Sequence, residues 1–301
     1  MVRLILLLLF AFAQPAGAQD GCPPDLAPRL SVGLWARVAH DDAHNLRAAP
    51  TTAAPVLARI AAGDILRAVD GPQCADGYIW WAVTHAGAAG WAAEGRPGAD
   101  AWLEPLAGQE PPPAFPDDPP GCQRPPDDYS RLWIGRIQLN LRTLAMLDHA
   151  QTLLAAAGGR VRLRDALMQG SYNAGGVAAS FGTHDGGGAV DLSVRDRVDR
   201  RVLADEIPLL LAALRTAGFA AWLRDTGELY PGSPIHIHAI AVGDRDLSPA
   251  ARAQIDGPQG YLRGYNGLPP DYGGPALDPL PPVVCGWMAS LGVPDQRAGR
   301  K

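Results

Sequence analysis

Two short stretches carry residues whose types and spacing could hold a metal ion. In GTHDGGGAVDLSV (residues 182–194), His184 stands seven positions before Asp191, with glycines at 186–188 between them. In PIHIHAIAV (residues 234–242), His236 and His238 are two positions apart. Residues i and i+2 of a strand share a face, so the two histidines project together while Ile235, Ile237 and Ala239 pack the other way. The alternation in GAVDLSV separates Val190, Leu192 and Val194 from Ala189, Asp191 and Ser193. Set side by side in one sheet, these strands bring Asp191 to one or both histidines, and His184 arrives from the glycine turn. Three nitrogen and oxygen ligands plus an open position form the pattern of a catalytic zinc site. Zinc there would lower the pKa of its bound water to about 7 and polarise a scissile carbonyl. The fourth residue, sharing the cavity without ligating, could act as base or stabilise an oxyanion. Glycines 186–188, lacking side chains, let the turn fold tightly and leave room for a substrate backbone.

Positioning these residues takes strands and helices. Ile137, Leu141, Leu144, Leu147 and Leu154 recur at near-helical spacing, ended by AGG at 157–159. VRL at 161–163 reads as a strand. A second helix is predicted over about 200–216, with Val202, Leu203, Ile207, Leu210, Leu211 and Leu214 on its apolar side. The charge run RDRVDRR (195–201) reads as its solvated start. FAAWL and PIHIHAIAV follow as strands. Strands covered by helices predict an α+β domain over 129–245 with a central antiparallel sheet. Residues 246–301, rich in proline, glycine and tyrosine, predict an irregular extension packed on it.

THDGGGAVD has histidine, two residues, glycine, one residue, alanine, one residue, aspartate, at His184, Gly187, Ala189 and Asp191. This resembles the first zinc motif of the D-alanyl-D-alanine dipeptidase and carboxypeptidase family, to which hedgehog signalling domains are structurally akin. HIHAIAV resembles that family's closing motif. The resemblance covers about residues 130–245. It implies a zinc cofactor held by His184, Asp191 and His238, and a peptidase acting on peptidoglycan peptides. There are two departures. The family's peptidases usually carry a glutamate base three residues before the last ligand, where this chain has Ile235. Related murein endopeptidases use His-x-His instead, which would give His236 the catalytic role; Glu228 is a weaker candidate base. The family's glycine-tyrosine-arginine turn reads QGSYNAGG here, with Gln169, Tyr172 or Asn173 as partial replacements.

Upstream, residues 106–128 are dense in proline, which cannot continue a helix or an inner strand, and predict a semi-rigid spacer. Before it, short segments between glycine and aspartate turns predict a small all-β barrel. In YIWWAVT, Tyr78, Trp80 and Ala82 would share one face, opposite Ile79, Trp81 and Val83. NLRAAP, AAGDILRAVDG, GYIWWAV and GWAAEG, over residues 28–105, resemble the bacterial SH3-like module of exported proteins. Its aromatics could line a ligand groove or fill the small core. His40, His44, His85 and His149 read as ordinary residues.

Arg3, the apolar run 4–13 and the small residues Ala16 and Ala18 predict a signal peptide over residues 1–18. Its apolar run is too short to span a bilayer core of about 30 Å, so a secreted, possibly cell-wall-associated protein without stable membrane insertion is expected. Four cysteines fit an oxidising compartment. Of the three pairings, Cys22–Cys74 and Cys122–Cys285 are favoured, because each closes within one part of the chain. The net charge of −5 and the lack of a basic patch argue against nucleic acid. Three functions follow: an exported zinc peptidase, a secreted zinc-holding binding module without turnover, or an SH3-like extracellular scaffold whose histidines merely pack.

Overall fold

The computed structural model describes residues 28–96, 99, 101–107, 118–176 and 178–293. They form an α+β architecture built on two larger antiparallel sheets and a two-stranded one. The expected signal peptide, residues 1–18, lies outside them. Among the described residues no helix is long and apolar enough to cross a membrane.

The first sheet comprises β1 (Trp35–Val38), β2 (His44–Arg47), β3 (Val56–Ile60), β4 (Ile65–Ala75), β5 (Tyr78–His85), β6 (Ala88–Gly95) and β7 (Leu103–Pro105). Their order is β3-β2-β6-β5-β4-β1-β7. Two hairpins join β4, β5 and β6 through Asp76-Gly77 and Ala86-Gly87. All four residues have positive φ, the two-residue turn geometry whose twist matches paired strands. The alternation read from YIWWAVT holds. Ile79, Trp81 and Val83 enter the core with Leu46 and Ile60. Tyr78 and Trp80 instead line a cavity of about 460 Å³ with Trp102, His40 and His44. The buried Trp81 indole donates to Glu94 Oε2 at 2.7 Å, and Arg29 N donates to the other oxygen, so this buried carboxylate is satisfied.

His40 and His44 meet in that cavity, Nε2 to Nδ1, at 3.1 Å. Burial, reinforced by His40, pushes the His44 imidazole down from 6.5 to about 4. The folded state thus resists a proton that the unfolded chain accepts. Stability is intact above pH 6.5 and declines as pH falls toward 4, by at most about 3 kcal/mol. Denaturant titrations between pH 7 and 4.5 should show the wild type losing more stability than His44→Gln. Parallel losses in the two proteins would exclude His44 as the source.

The second sheet is where the candidate metal ligands lie. A hairpin of β8 (Arg131–Ile134) and β9 (Ile137–Asn140) leads into α1 (Leu141–Ala156). The sequence predicts helix from Ile137, but residues 137–140 pair as a strand. Asn140 then caps the helix, its Oδ1 accepting from Thr143 N at 2.8 Å. Next come the short helix α2 (Leu163–Ala166), in place of the strand expected at 161–163, and β10 (Leu167–Gln169). They are followed by β11 (Ala189–Ser193), α3 (Ile207–Thr216), β12 (Phe219–Arg224) and β13 (His236–Ala241). The helix predicted over 200–216 is shorter. Residues 196–201 form a turn in which Asp196 Oδ1 accepts from Val198 N and Asp199 N, and Arg195 bridges to Val202. Pro208, suited to a first helical turn, marks the actual start.

Strand order is β10-β11-β13-β12, all antiparallel. One face carries Val190, Leu192, Phe219, Ala221, Ile237 and Ala239, packed against Met146, Leu147 and Leu154 of α1 and Leu210 and Leu214 of α3. On the opposite face, Ala189, Ala220, Trp222 and Ile240 pack under the C-terminal segment. That segment is less irregular than its composition predicts: it contains α4 (Pro249–Asp256) and α5 (Gly286–Ser290). Ser248 caps α4 by accepting from Ala251 N at 3.1 Å. A Cys122–Cys285 disulfide ties the segment to residues 118–128. Those residues are not a free spacer, because the Pro126 carbonyl and the Asp127 carboxylate accept from the buried Arg142 guanidinium. Cys74 is also disulfide-bonded; its expected partner Cys22 lies outside the described residues.

The two sheets are joined. Trp35, Ile65 and Leu106 pack against Leu141, Leu144 and Ala145 of α1. Beside them, Arg164 reaches from α2 to Asp64 between β3 and β4.

Candidate metal centre

Register within the second sheet builds the site. Asp191 on β11 lies opposite His238 on β13, and His238 lies opposite Trp222 on β12. One step along the same face, Ser193, His236 and Arg224 form a second row. The helix-covered face consumes the apolar half of each strand, so every polar side chain is left on the other face. The C-terminal segment covers only part of that face. The remainder opens into a cavity of about 180 Å³ lined by His184, Asp191, His236, His238, Arg224 and neighbours from residues 168–183 and 229–234.

Three imidazoles converge on one carboxylate oxygen. Asp191 Oδ1 lies 2.8 Å from His238 Nδ1, 3.4 Å from His184 Nε2 and 3.9 Å from His236 Nε2. Ligand atoms of His184, Asp191 and His238 all fall within 4.8 Å of one another, so this group could hold a metal ion. The hydrogen bonds of the rings fix which nitrogens are bare. His184 Nδ1 donates to the Gly170 carbonyl at 2.9 Å, which leaves Nε2 with its lone pair. His236 Nδ1 donates to the Pro234 carbonyl at 2.8 Å, which turns a basic Nε2 toward the centre. His238 Nδ1 bonds Asp191, and its ring stacks on Trp222 at 6.2 Å with 13° between planes. Among the described residues, Nε2 of His184 and Nε2 of His238 are buried without a hydrogen-bond partner. The bare, buried Nε2 of His184, 3.4 Å from Asp191 Oδ1, fits a metal ion, and the Gly170 carbonyl behind that ring is the usual outer-shell support of a ligating histidine. His238 meets the same carboxylate through Nδ1.

Protonation states agree. Burial alone would raise the Asp191 carboxyl, but His184 and His238 outweigh it and hold it well below the ordinary carboxylate range. Burial pushes the His238 imidazole down to about 4, against the pull of Asp191. At neutral pH the group therefore offers an anionic carboxylate and a neutral imidazole, the forms that bind metals.

The glycine turn has a measurable reason for its composition. A Cβ on Gly186 would stand 2.2 Å from the Asp246 carbonyl and 2.5 Å from Ser248 N, both backbone atoms. One on Gly187 would meet Asp246 Cβ at 2.8 Å and Tyr172 Oη at 2.9 Å. Gly187 N donates to that same Asp246 carbonyl at 2.7 Å. The turn is thus a close backbone packing against residues 246–248, which sets where His184 emerges.

The other sequence candidates separate. His236 is 7% exposed and lines the cavity beside the group. Gln169 also lines it, with Nε2 donating to Ser180 Oγ at 3.2 Å. Tyr172 is directed away: its hydroxyl donates to Asp246 Oδ2 and accepts from Asn140. Asn173 does not line the cavity. Ile235 packs into the helix-covered core, so the family's usual glutamate position is turned away from the centre. Glu228 is outside the cavity lining, with Oε2 bound to Asp225 N. Arg224 was not among the candidates, although the alternation in FAAWLR places it on the face of Trp222. No protein-family model, curated protein or solved structure matches the chain.

Proposed function

We propose that this protein is an exported zinc-dependent peptidase acting on cell-wall peptides. One observation carries the reading: His184, through a bare Nε2, and His238, through Nδ1, converge on one carboxylate oxygen, and the Nε2 of a further imidazole faces that oxygen at the wall of a cavity. The donor set, nitrogen and oxygen without sulfur, suits zinc in an open, catalytic arrangement. When bound, the ion supplies Lewis acidity for amide hydrolysis. His184, Asp191 and His238 would hold it. His236, proton-bearing at Nδ1 and basic at Nε2, would accept and return the proton. The resemblance of THDGGGAVD and HIHAIAV to the D-alanyl-D-alanine peptidases supports the substrate class. The described disulfide supports an oxidising compartment. The resemblance of residues 28–105 to SH3-like modules supports a wall-holding role for the first sheet.

Ile235, buried in the core, favours a second reading, a zinc-holding binding module without turnover. His236→Gln separates the two. As a peptidase, the purified protein contains zinc and cleaves muropeptides, and His236→Gln lowers turnover by about 100-fold or more with zinc content unchanged. Zinc without cleavage in the wild type would establish the binding module; a protein that takes up no zinc excludes both.

A further inference from the structure

Arg224 is a buried cation that no fold contact explains. Its side chain is 2% exposed and it lines the same cavity as His184, Asp191 and His238. Among the described residues, neither terminal guanidinium nitrogen has a hydrogen-bond partner. The one carboxylate it pairs with, Glu228, stands 3.7 Å from Nη1, beyond hydrogen-bond range. It also stands over the Trp222 ring, 5.3 Å away. The buried arginines of the structural network behave differently: Arg142 and Arg215 each donate to several carbonyls and to a carboxylate. A guanidinium carries five donors in a planar fork suited to two carboxylate oxygens. Leaving that fork unused while buried is costly, unless something outside the chain fills it.

Its position limits what that can be. Arg224 sits in the row of His236, one strand step of about 6.6 Å along the face from the row of Asp191 and His238. With a divalent ion held by Asp191, the charges of the ion and Arg224 outweigh those of Asp191 and the loosely paired Glu228, so the site stays net positive. An incoming anion balances that charge, and a neutral amide does not. We propose that Arg224 is the carboxylate receptor of this site, gripping a ligand carboxylate through its two free nitrogens while the neighbouring part of the ligand lies over the histidine–aspartate group. Glu228 is the internal carboxylate that shields the guanidinium loosely and yields to the ligand. The inference rests on the metal-centre reading above and narrows its substrates to peptides bearing a carboxylate near the reacting bond.

Calorimetric titration of the full chain, zinc-loaded and zinc-free, tests it without turnover. The probes are N-acetylalanine, N-acetylalaninamide and the α-amide of N-acetylglutamate. Wild type should prefer N-acetylalanine over its amide by about 10- to 100-fold, the weight of a charged hydrogen-bonded pair. Arg224→Gln should erase that preference with zinc content and melting unchanged, Arg224→Lys should retain part of it, and Glu228→Gln should tighten carboxylate binding. Preference for N-acetylalanine over the glutamate amide assigns the terminal carboxylate; the reverse assigns a side-chain one. Equal binding of acid and amide by the wild type, no binding of either, or a preference intact in Arg224→Gln overturns the proposal. Should Arg224→Gln fail to fold, the wild-type preference and the Glu228→Gln response still decide. Carboxylate preference without peptide cleavage would sink the peptidase and leave the receptor standing; cleavage without preference would do the opposite.

Discussion

If His184, Asp191 and His238 hold zinc as proposed, Asp191→Ala will abolish metal binding. Zinc affinity should fall by more than about 100-fold, because losing even an outer-shell partner of a ligand costs 10- to 100-fold. The physical reason is local. Asp191 is the only carboxylate in the group, and the nitrogens of His184, His236 and His238 gather within 3.9 Å of its Oδ1. Without it, neutral imidazoles alone must offset a divalent charge in a buried setting. Asp191→Asn, equal in size, should lose nearly as much, since what matters is the charge. The fold should survive, because His238 is also braced by stacking on Trp222. Thermal melts read the effect directly. A ligand that binds only the folded state stabilises it by about 2.7 kcal/mol at a hundredfold excess over its Kd, so zinc should raise the melting temperature of the wild type and leave that of both variants unmoved. A zinc-induced shift that persists in Asp191→Ala would remove this group as the metal site.

Much of that site was legible because strand alternation is a local rule. Once Val190 and Leu192 must face the helices, Asp191 cannot; the same rule puts His236 and His238 opposite Ile237. Strand neighbours were less accessible. Nothing local states that β13 lies between β11 and β12, yet that order sets Arg224 beside His236 and Trp222 beneath His238. Arg224 was missed for this reason, since an arginine closing an apolar strand reads as a solvated end until the loop above it is in place. Boundaries were displaced where a short capping signal overrode periodicity. Asn140 starts α1 four residues late, and Pro208 starts α3 seven residues late. The tail after Asp244 looked irregular because α4 has only eight residues and proline-rich flanks. The all-β reading of the first part extended to the two faces of β5 but not to which of them is core, and the contact between the two sheets left no periodic trace.

That contact carries the largest stability effect expected from one substitution. Arg164→Ala should cost on the order of 3–5 kcal/mol and lower the melting temperature by roughly 10 °C. Arg164 grips two carboxylates from different parts of the fold. Its Nε and Nη2 donate to Asp148 of α1 at 2.9 and 2.6 Å, and its Nη1 donates to Asp64 at 2.7 and 2.9 Å. Burial works against the guanidinium charge, but Asp148 and Asp64 outweigh it and raise its pKa above the ordinary range. The two acids differ in what they lose. The Asp148 side chain is 3% exposed and, among the described residues, bonds to no other side chain, whereas Asp64 keeps His85 Nε2 at 3.4 Å. Truncating Arg164 therefore strands Asp148 as a bare buried anion, and this penalty, more than the loss of the pair itself, sets the size of the effect. The double variant Arg164→Ala/Asp148→Asn tests the cause, because removing the stranded charge should recover part of the loss and leave the double variant more stable than Arg164→Ala alone. Purely additive losses would mean that Asp148 finds water or takes up a proton once Arg164 is gone, and that the pair serves to align α1 against the first sheet rather than to neutralise a buried charge.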